Sequence, residues 1–326
     1  MNAVLEINDL VVEVATAHGP MVVVSNVSLA VGAGETLGLV GESGSGKSLT
    51  TLAVLRLLGT SARIASGEIL LRGPDGVLDL ATLPERRMRD VRGGRIGMVF
   101  QEPMTALDPA YSVGEQVAET VRRHLGLGRT DAWKRAVELL DRVGIPSADR
   151  RAHDHPHHFS GGMRQRVVIA MALSCDPVVL LADEPTTALD VTVQEQILTL
   201  LGELRDESGL ALLFISHDLG VIADISDRVA VMYAGQVVET APVHELFAAP
   251  RHPYTRALLR CVPSPGSDRL ATIPGTVPTF DALPLGCRFA PRCEHAAAVC
   301  EGAPIGLDTV AATHFARCVR IEEVVS

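Results

Sequence analysis

Aromatic side chains are scarce in this sequence. One Trp, three Tyr and seven Phe make up 3% of 326 residues. Single-stranded nucleic acid is held largely by stacking on such rings, so their scarcity argues against that class of binder. Positive charge is short as well: 29 Lys and Arg against 39 Asp and Glu leave a formal net charge of −10. A chain with an isoelectric point near 5.6 offers no broad basic face to a phosphate backbone. The one short basic run, Arg86-Arg87-Met88-Arg89, reads as a solvated face. Long apolar runs are missing too. A membrane-crossing helix needs about 18–20 apolar residues, and the nearest approach, Val167–Leu181, is cut by Asp176-Pro177. Met1–Leu10 carries Glu6 and Asp9 and lacks the apolar centre of a signal peptide. Together these absences predict a cytosolic chain, in which the six Cys are not read first as disulfides.

What is present is a large apolar fraction, 47%, with a mean hydropathy of +0.24. Buried parallel strands, which read as unbroken apolar runs, account for such values. The length suffices for a full α/β domain plus something smaller.

The stretch that organises the chain is Gly41–Ser48, GESGSGKS. It satisfies G-x-x-x-x-G-K-[ST] at every fixed position. A β-leaning run, Thr36–Val40, precedes it, and a helical run, Leu49–Leu58, follows. Strand, glycine loop and helix form the context that a phosphate cradle requires. Gly41, Gly44 and Gly46 let backbone N–H groups turn inward around phosphate oxygens. The helix N-terminus adds positive potential. Lys47 can reach the β- and γ-phosphates, and the Ser48 hydroxyl can ligate Mg²⁺. Ser43, Ser45 and Leu49 complete the predicted nucleotide-binding set.

Taken in order, residues 4–40 alternate apolar and polar in LEINDLVVEV and MVVVSNVSLAV, with a turn at Gly19-Pro20. This predicts a small antiparallel β layer, continued by GEILLR at 67–72. Ile96–Phe100 is a further strand, ending at Gln101. Residues 102–163 change character: Val113–Arg123 and Ala132–Val143 read as amphipathic helices, so a helical insertion is expected. From 164 to 240 helices alternate again with short apolar runs, which implies a parallel sheet. Beyond 245 the chain becomes rich in Pro and Cys and poor in periodicity, and it reads as a small loop-rich domain over 246–326.

Val178–Ala182 is an apolar strand that ends in Asp183-Glu184. In a phosphate-loop fold the first carboxylate holds Mg²⁺, and the second can orient and deprotonate an attacking water. Further on, Phe159–Arg166 reads FSGGMRQR. Ser160-Gly161-Gly162 ahead of a helix forms a second anion site with free N–H groups. This string resembles the signature of ATP-binding cassette (ABC) ATPases. The other parts follow in that family's order. Gln101 matches the Q-loop, Asp183-Glu184 the acidic strand end, Ala188-Leu189-Asp190 the D-loop, and His217 in ISHD the switch histidine. HPYTRALL at 252–259 and the Cys-bearing tail are similar to the oligopeptide/dipeptide/nickel importer branch.

The resemblance implies an α/β phosphate-loop fold over 1–245, with an antiparallel β layer, an inserted helical subdomain at about 102–163, and a C-terminal domain over 246–326. It implies ATP hydrolysis with ATP and Mg²⁺ as cofactors. Glu184 would be the general base, positioned by His217. Gln101 would sense the γ-phosphate and help Ser48 and Asp183 hold Mg²⁺. Ser160, Gly161 and Gly162 would cap the γ-phosphate bound to a second ATPase subunit, with Asp190 at the same junction. Two separate membrane permease subunits and an extracytoplasmic solute-binding protein would complete a peptide importer. The chain would then sit on the cytoplasmic face of the membrane and bind no nucleic acid. The alternative classes are a soluble ABC ATPase and a cluster-based sensor, neither coupled to transport.

Two features depart from the family pattern. The turn near Val14-Ala15 lacks the usual adenine-stacking aromatic, which predicts either a weaker adenine preference or His18 as the substitute. Glu102 stands where peptide importers more often carry Asp. In the tail, Cys287, Cys293, Cys300 and Cys318 are separated by five, six and seventeen residues. Four Cys in a short segment of low apolar content predict a metal site that helps it fold. The spacing lacks C-x-x-C pairs, which weakens a zinc ribbon, and four thiolates also suit a [4Fe–4S] cluster. The tail resembles that of peptide-importer ATPases, some of which carry one, and this resemblance implies the cluster ahead of free thiols or zinc. His295 and His314 are replacement ligands, Cys175 and Cys261 a core and a surface thiol. The His-rich stretch 153–158 reads as a solvated loop.

Overall fold

The computed structural model describes residues 3–74, 76–100, 106–187, 189–262 and 272–325. Twelve strands lie among them: β1 (Ala3–Thr16), β2 (Gly19–Gly32), β3 (Thr36–Val40), β4 (Ala62–Gly73), β5 (Gly76–Asp79), β6 (Ile96–Val99), β7 (Val179–Asp183), β8 (Ala211–Ile215), β9 (Arg228–Tyr233), β10 (Gln236–Pro242), β11 (Asp308–Ala311) and β12 (His314–Ala316). The chain divides into two compact units. One comprises Val31–Glu35 and Thr82–Leu213 with the N-terminal residues to Leu5. The other comprises Glu6–Ala30, Thr36–Ala81 and the chain from Phe214 onward.

In the unit that holds Thr82–Leu213, β6 and β7 pair in parallel, Ile96 opposite Val179 and Val99 opposite Ala182. Every residue of β7 is buried, as a strand covered on both faces must be. Between β6 and β7 runs the expected helical region, with helices at Val113–Leu125, Arg129–Arg142 and Ala148–Arg151. Ser112 caps the first of these by accepting from the Glu115 N–H, and Gly126 ends it in the left-handed conformation. Val113, Val117, Ala118 and Val121 bury one face of that helix, while Ala132, Ala136, Leu139 and Leu140 bury a face of the next. Their spacing of three and four is the stripe a helix packs by. No strand occurs among the described residues of 106–160.

The second unit carries the four-stranded layer β2-β1-β4-β5. The first hairpin turns at Ala17-His18 rather than Gly19-Pro20, and β4 starts at Ala62, five residues ahead of GEILLR. β5 escaped the sequence reading because GVLD is only four residues long and two of them, Gly76 and Asp79, disfavour strands. Beside this layer lie β11-β12-β10-β9-β3 in that order. β3 pairs in parallel with β9, and β9 with β10 forms an antiparallel hairpin through Ala234-Gly235. The C-terminal segment adds the hairpin β11-β12 to this sheet, with Glu239 opposite Ala316 and Thr240 opposite Phe315. That segment also holds a helix at Pro253–Arg260, a last short helix at Ile321–Val325 and three single turns of 3₁₀ helix. Among the described residues no helix is long and apolar enough to cross a membrane.

Candidate functional site

The phosphate-loop segment lies wholly in the second unit. β3 is buried at all five positions and delivers the chain into Gly41, and the helix that follows runs from Lys47 to Val54. Gly41, Gly44 and Gly46 all take positive φ, at 152°, 77° and 99°. At Gly41 a Cβ atom would come within 2.1 Å of the Met232 carbonyl oxygen, so only glycine lets the loop pass β9 this closely. Lys47 is 6% exposed, and its ammonium folds back over the loop. It donates to the carbonyls of Gly41 at 2.7 Å and Glu42 at 3.1 Å. The Ser45 N–H donates to the Glu42 carbonyl, and the Ser45 carbonyl accepts from Gly235. Ser43 and Gly44 are exposed at the rim, while Ser48 and Leu49 are half-buried. The loop's turn is thus held by its own backbone, with Lys47 folded onto the Gly41 and Glu42 carbonyls.

The ISHD turn belongs to the same unit. The Ser216 N–H donates to the Leu39 carbonyl, two residues before Gly41. The Ser216 hydroxyl accepts from the Asp218 N–H at 2.9 Å. Asp218 caps the helix Leu219–Ile225 through Gly220 and Val221. Exposed His217 is thereby fixed at a tight turn beside the strand that carries the loop. His18 stands exposed in the β1-β2 turn. Nearby, the Thr279 hydrogen bond first and the Asp281 backbone N–H next hold the Asp281 carboxyl below the usual range.

The other expected residues lie in the first unit. Asp183 ends β7 almost withdrawn from solvent, at 6%. Glu184 follows with φ of 49°, a left-handed conformation that a side chain bearing Cβ adopts at a cost of roughly 1–3 kcal/mol. The Thr187 hydroxyl donates to its carboxylate at 2.9 Å, so both backbone and side chain of Glu184 are held. Ser160 caps the helix Gly161–Leu173 by accepting from the Met163 N–H. Asp190 caps Val191–Ser208 in the same way through Val193, at 3.0 Å. The two helix starts meet: a Cβ on Gly162 would lie 2.4 Å from Val193 Cγ1. The signature turn and the D-loop aspartate are thus brought together. Gln101, Glu102 and Ala188 lie outside the described residues.

All six cysteines are free thiols. Cys287, Cys293, Cys300 and Cys318 line one small apolar cavity, together with Phe289 and His295. The Cys287 N–H donates to the Cys300 carbonyl at 2.7 Å. Burial pushes the Cys287 thiol up to about 11 and raises Cys293 and Cys318 as well. Four sulfurs suit a soft metal in kind. Among the described residues, however, no group of three or more His, Cys, Asp or Glu side chains stands close enough to hold a metal ion. The histidines of 153–158 pack on Trp133 and on one another, His153 4.6 Å from the Trp133 ring and His157 4.2 Å from His158.

Sequence reading missed the groups that hold the loop from outside. Tyr254 accepts from the Glu42 N–H at 2.9 Å, and Arg292 forks onto the Glu42 carboxylate at 2.7 and 3.1 Å. No local pattern announces such partners.

A strand-loop-helix phosphate cradle, an acidic strand end and a serine-capped glycine turn define a nucleotide-binding ATPase of the cassette type. Comparison with known families agrees. The ABC transporter family model matches residues 24–187, and the model for the oligopeptide/dipeptide transporter C-terminal region matches 238–300. A putative peptide import ATP-binding protein of Brucella melitensis is 52% identical over 98% of both chains. The oligopeptide transport ATP-binding protein OppD of Salmonella typhimurium is 49% identical over 93% of this chain and 90% of its own. Among solved structures, a dimeric ATP-binding cassette in a post-hydrolysis state bound to ADP and Pi superposes with a TM-score of 0.65 at 28% identity. It covers 73% of this chain and 98% of that one. The chain belongs to the ABC transporter family of ATP-binding cassettes.

Proposed function

We propose that this chain hydrolyses ATP to power the import of peptides through a separate membrane permease. The observation that carries this reading is the pairing in one chain of a glycine-turned phosphate loop with a C-terminal region of the oligopeptide/dipeptide transporter type. Near-full-length similarity to peptide import ATP-binding proteins supports it.

In this reading Lys47 leaves the Gly41 and Glu42 carbonyls to meet the β- and γ-phosphates, and the loop N–H groups hold the remaining oxygens. Ser43, Ser45 and Leu49 line the same cradle. Ser48 and Asp183 are hard oxygen donors of the kind Mg²⁺ takes, and Gln101 is the third. The ion would offset charge that develops on the phosphates. Glu184, held by Thr187, takes the proton from the attacking water, and His217 positions the γ-phosphate end. Ser160, Gly161 and Gly162 present their N–H groups to the nucleotide of a second ATPase subunit, with Asp190 packed beside them.

The partners are that second subunit, two permease subunits that dock on the helical region, and a solute-binding protein beyond the membrane. The working location is the cytoplasmic face. For the four tail cysteines the proposal is a metal centre, [4Fe–4S] ahead of zinc, because they share one cavity; holding an ion would require their sulfurs to draw closer than they stand in this structure. The test of the whole reading is reconstitution with the permease in vesicles. ATP-dependent uptake of a labelled peptide, abolished by Glu184→Gln, is the expected result. ATP hydrolysis that the permease and peptide never stimulate would overturn it.

A further inference from the structure

We propose that Arg292 and Tyr254, both from the C-terminal segment, are positioning residues that clamp Glu42 and so set the shape of the phosphate loop for ATP. Glu42 is the second residue of that loop. Its carbonyl accepts from Lys47 Nζ at 3.1 Å and from the Ser45 N–H. Anything that fixes Glu42 therefore fixes where the cation is stored and how the loop turns.

Glu42 is fixed twice, at backbone and at side chain. Its N–H points away from the cradle and donates to the Tyr254 hydroxyl at 2.9 Å. Both carboxylate oxygens take an arm of Arg292, Nη1 at 2.7 Å and Nη2 at 3.1 Å. This bidentate fork is the strongest geometry available to an ion pair, and it is shielded: the Arg292 side chain is 4% exposed and that of Glu42 29%.

Arg292 is itself immobilised. Its Nε donates to the Pro274 carbonyl at 2.9 Å, and Nη1 lies 3.4 Å from the Tyr233 hydroxyl. The guanidinium carbon stands 5.8 Å from the Tyr233 ring and 5.9 Å from that of Phe289. Tyr233, Tyr254 and Phe289 pack mutually, with centroids 4.6, 5.2 and 5.4 Å apart. Two of the three tyrosines in an aromatic-poor chain are spent here. Burial raises the Tyr254 phenol, so it stays neutral, and the Glu42 hydrogen bonds keep Arg292 charged.

A rigid three-ring support under an arginine fork is more than the local fold needs at a half-exposed loop residue. Its consequence is preorganisation: a loop already shaped for phosphate loses less entropy on binding. The site Arg292 serves is the one read above as the ATP cradle, and the inference rests on that reading.

The test measures MgATP affinity and steady-state ATPase of the full chain for Arg292→Met, Arg292→Lys, Glu42→Gln, Tyr254→Phe and the Arg292→Met/Glu42→Gln pair. The expected result is a roughly tenfold rise in Kd and KM for Arg292→Met, with kcat at saturating ATP close to the parent value. Arg292→Lys, which keeps the charge but loses the fork, should recover only part of the affinity. The double variant should lose no more than the larger single loss. Unchanged Kd for Arg292→Met, or losses that simply add in the pair, overturns the clamp. Lys47→Ala is the separate control. If it leaves MgATP affinity intact, the cradle reading fails; if it abolishes binding while Arg292→Met does nothing, only the clamp fails.

Discussion

His314 Nε2 lies 2.6 Å from Glu239 Oε1, and both side chains are withdrawn from solvent, at 3% and 0% exposure. The same carboxylate accepts from the backbone N–H groups of Arg251 at 2.6 Å and His252 at 2.9 Å. One buried side chain on β10 therefore ties down β12 and the start of the HPYTRALL helix. Removing it would leave three donors without their acceptor. Glu239→Ala should cost about 3–5 kcal/mol of stability, read as a drop in melting temperature. Loss of less than about 1 kcal/mol would show that water replaces the carboxylate.

Acid should weaken the same region in a defined window. His252 is fully buried, and burial holds it neutral down to about 4, against the opposing pull of Glu239. The unfolded chain takes up this proton near 6.5, so between about 6.5 and 4 it binds more protons than the fold does. Stability is then complete above the upper value and falls as the pH drops through the window, by about 3 kcal/mol in all. His252 Nδ1 also caps its helix by accepting from the Tyr254 N–H at 3.0 Å. His252→Asn keeps an acceptor and removes the titration. Its melting temperature should vary less with pH from 7 to 4 than that of the parent, and an identical slope would remove His252 from this role.

Glu184→Gln should bind MgATP with near-parental affinity and hydrolyse it about 10²–10⁴-fold more slowly, the range of a lost general base. The left-handed backbone at this position tolerates Gln as it does Glu, so the fold should be undisturbed. Nucleotide-dependent dimers that accumulate in gel filtration are the companion signal. Brisk turnover by this variant would place the base elsewhere.

The cysteine cavity predicts iron and acid-labile sulfide in anaerobically purified protein, with a brown absorbance band. Thiolate ligation must displace the thiol protons, so loading should release protons and be weaker at low pH. Stoichiometric zinc without sulfide would replace the cluster assignment, and four freely alkylated thiols in the protein as isolated would end it.

Much of this was legible in the linear chain. Gly41–Ser48, the apolar run into Asp183-Glu184, and the caps at Ser160, Asp190 and Asp218 are local features whose chemistry lies within a few residues of one another. The alternation of β1 and β2 and the 3.6-residue stripes of the helical region are likewise local periodicities. β5 was too short to register. The edge hairpin β11-β12 went unseen because its pattern of exposure, with two exposed residues, one half-buried and one exposed along Asp308–Ala311, has no clean period of two.

By itself the sequence determined the chemistry: a phosphate cradle, an acidic strand end and a signature turn, each encoded by neighbouring residues. Tertiary structure alone decided what holds them. The Glu42–Arg292 fork joins residues 250 apart, and the Glu239–His314 contact residues 75 apart. Such a pair leaves no periodic trace in the chain, because its partners meet only once the strands and aromatic rings between them have packed.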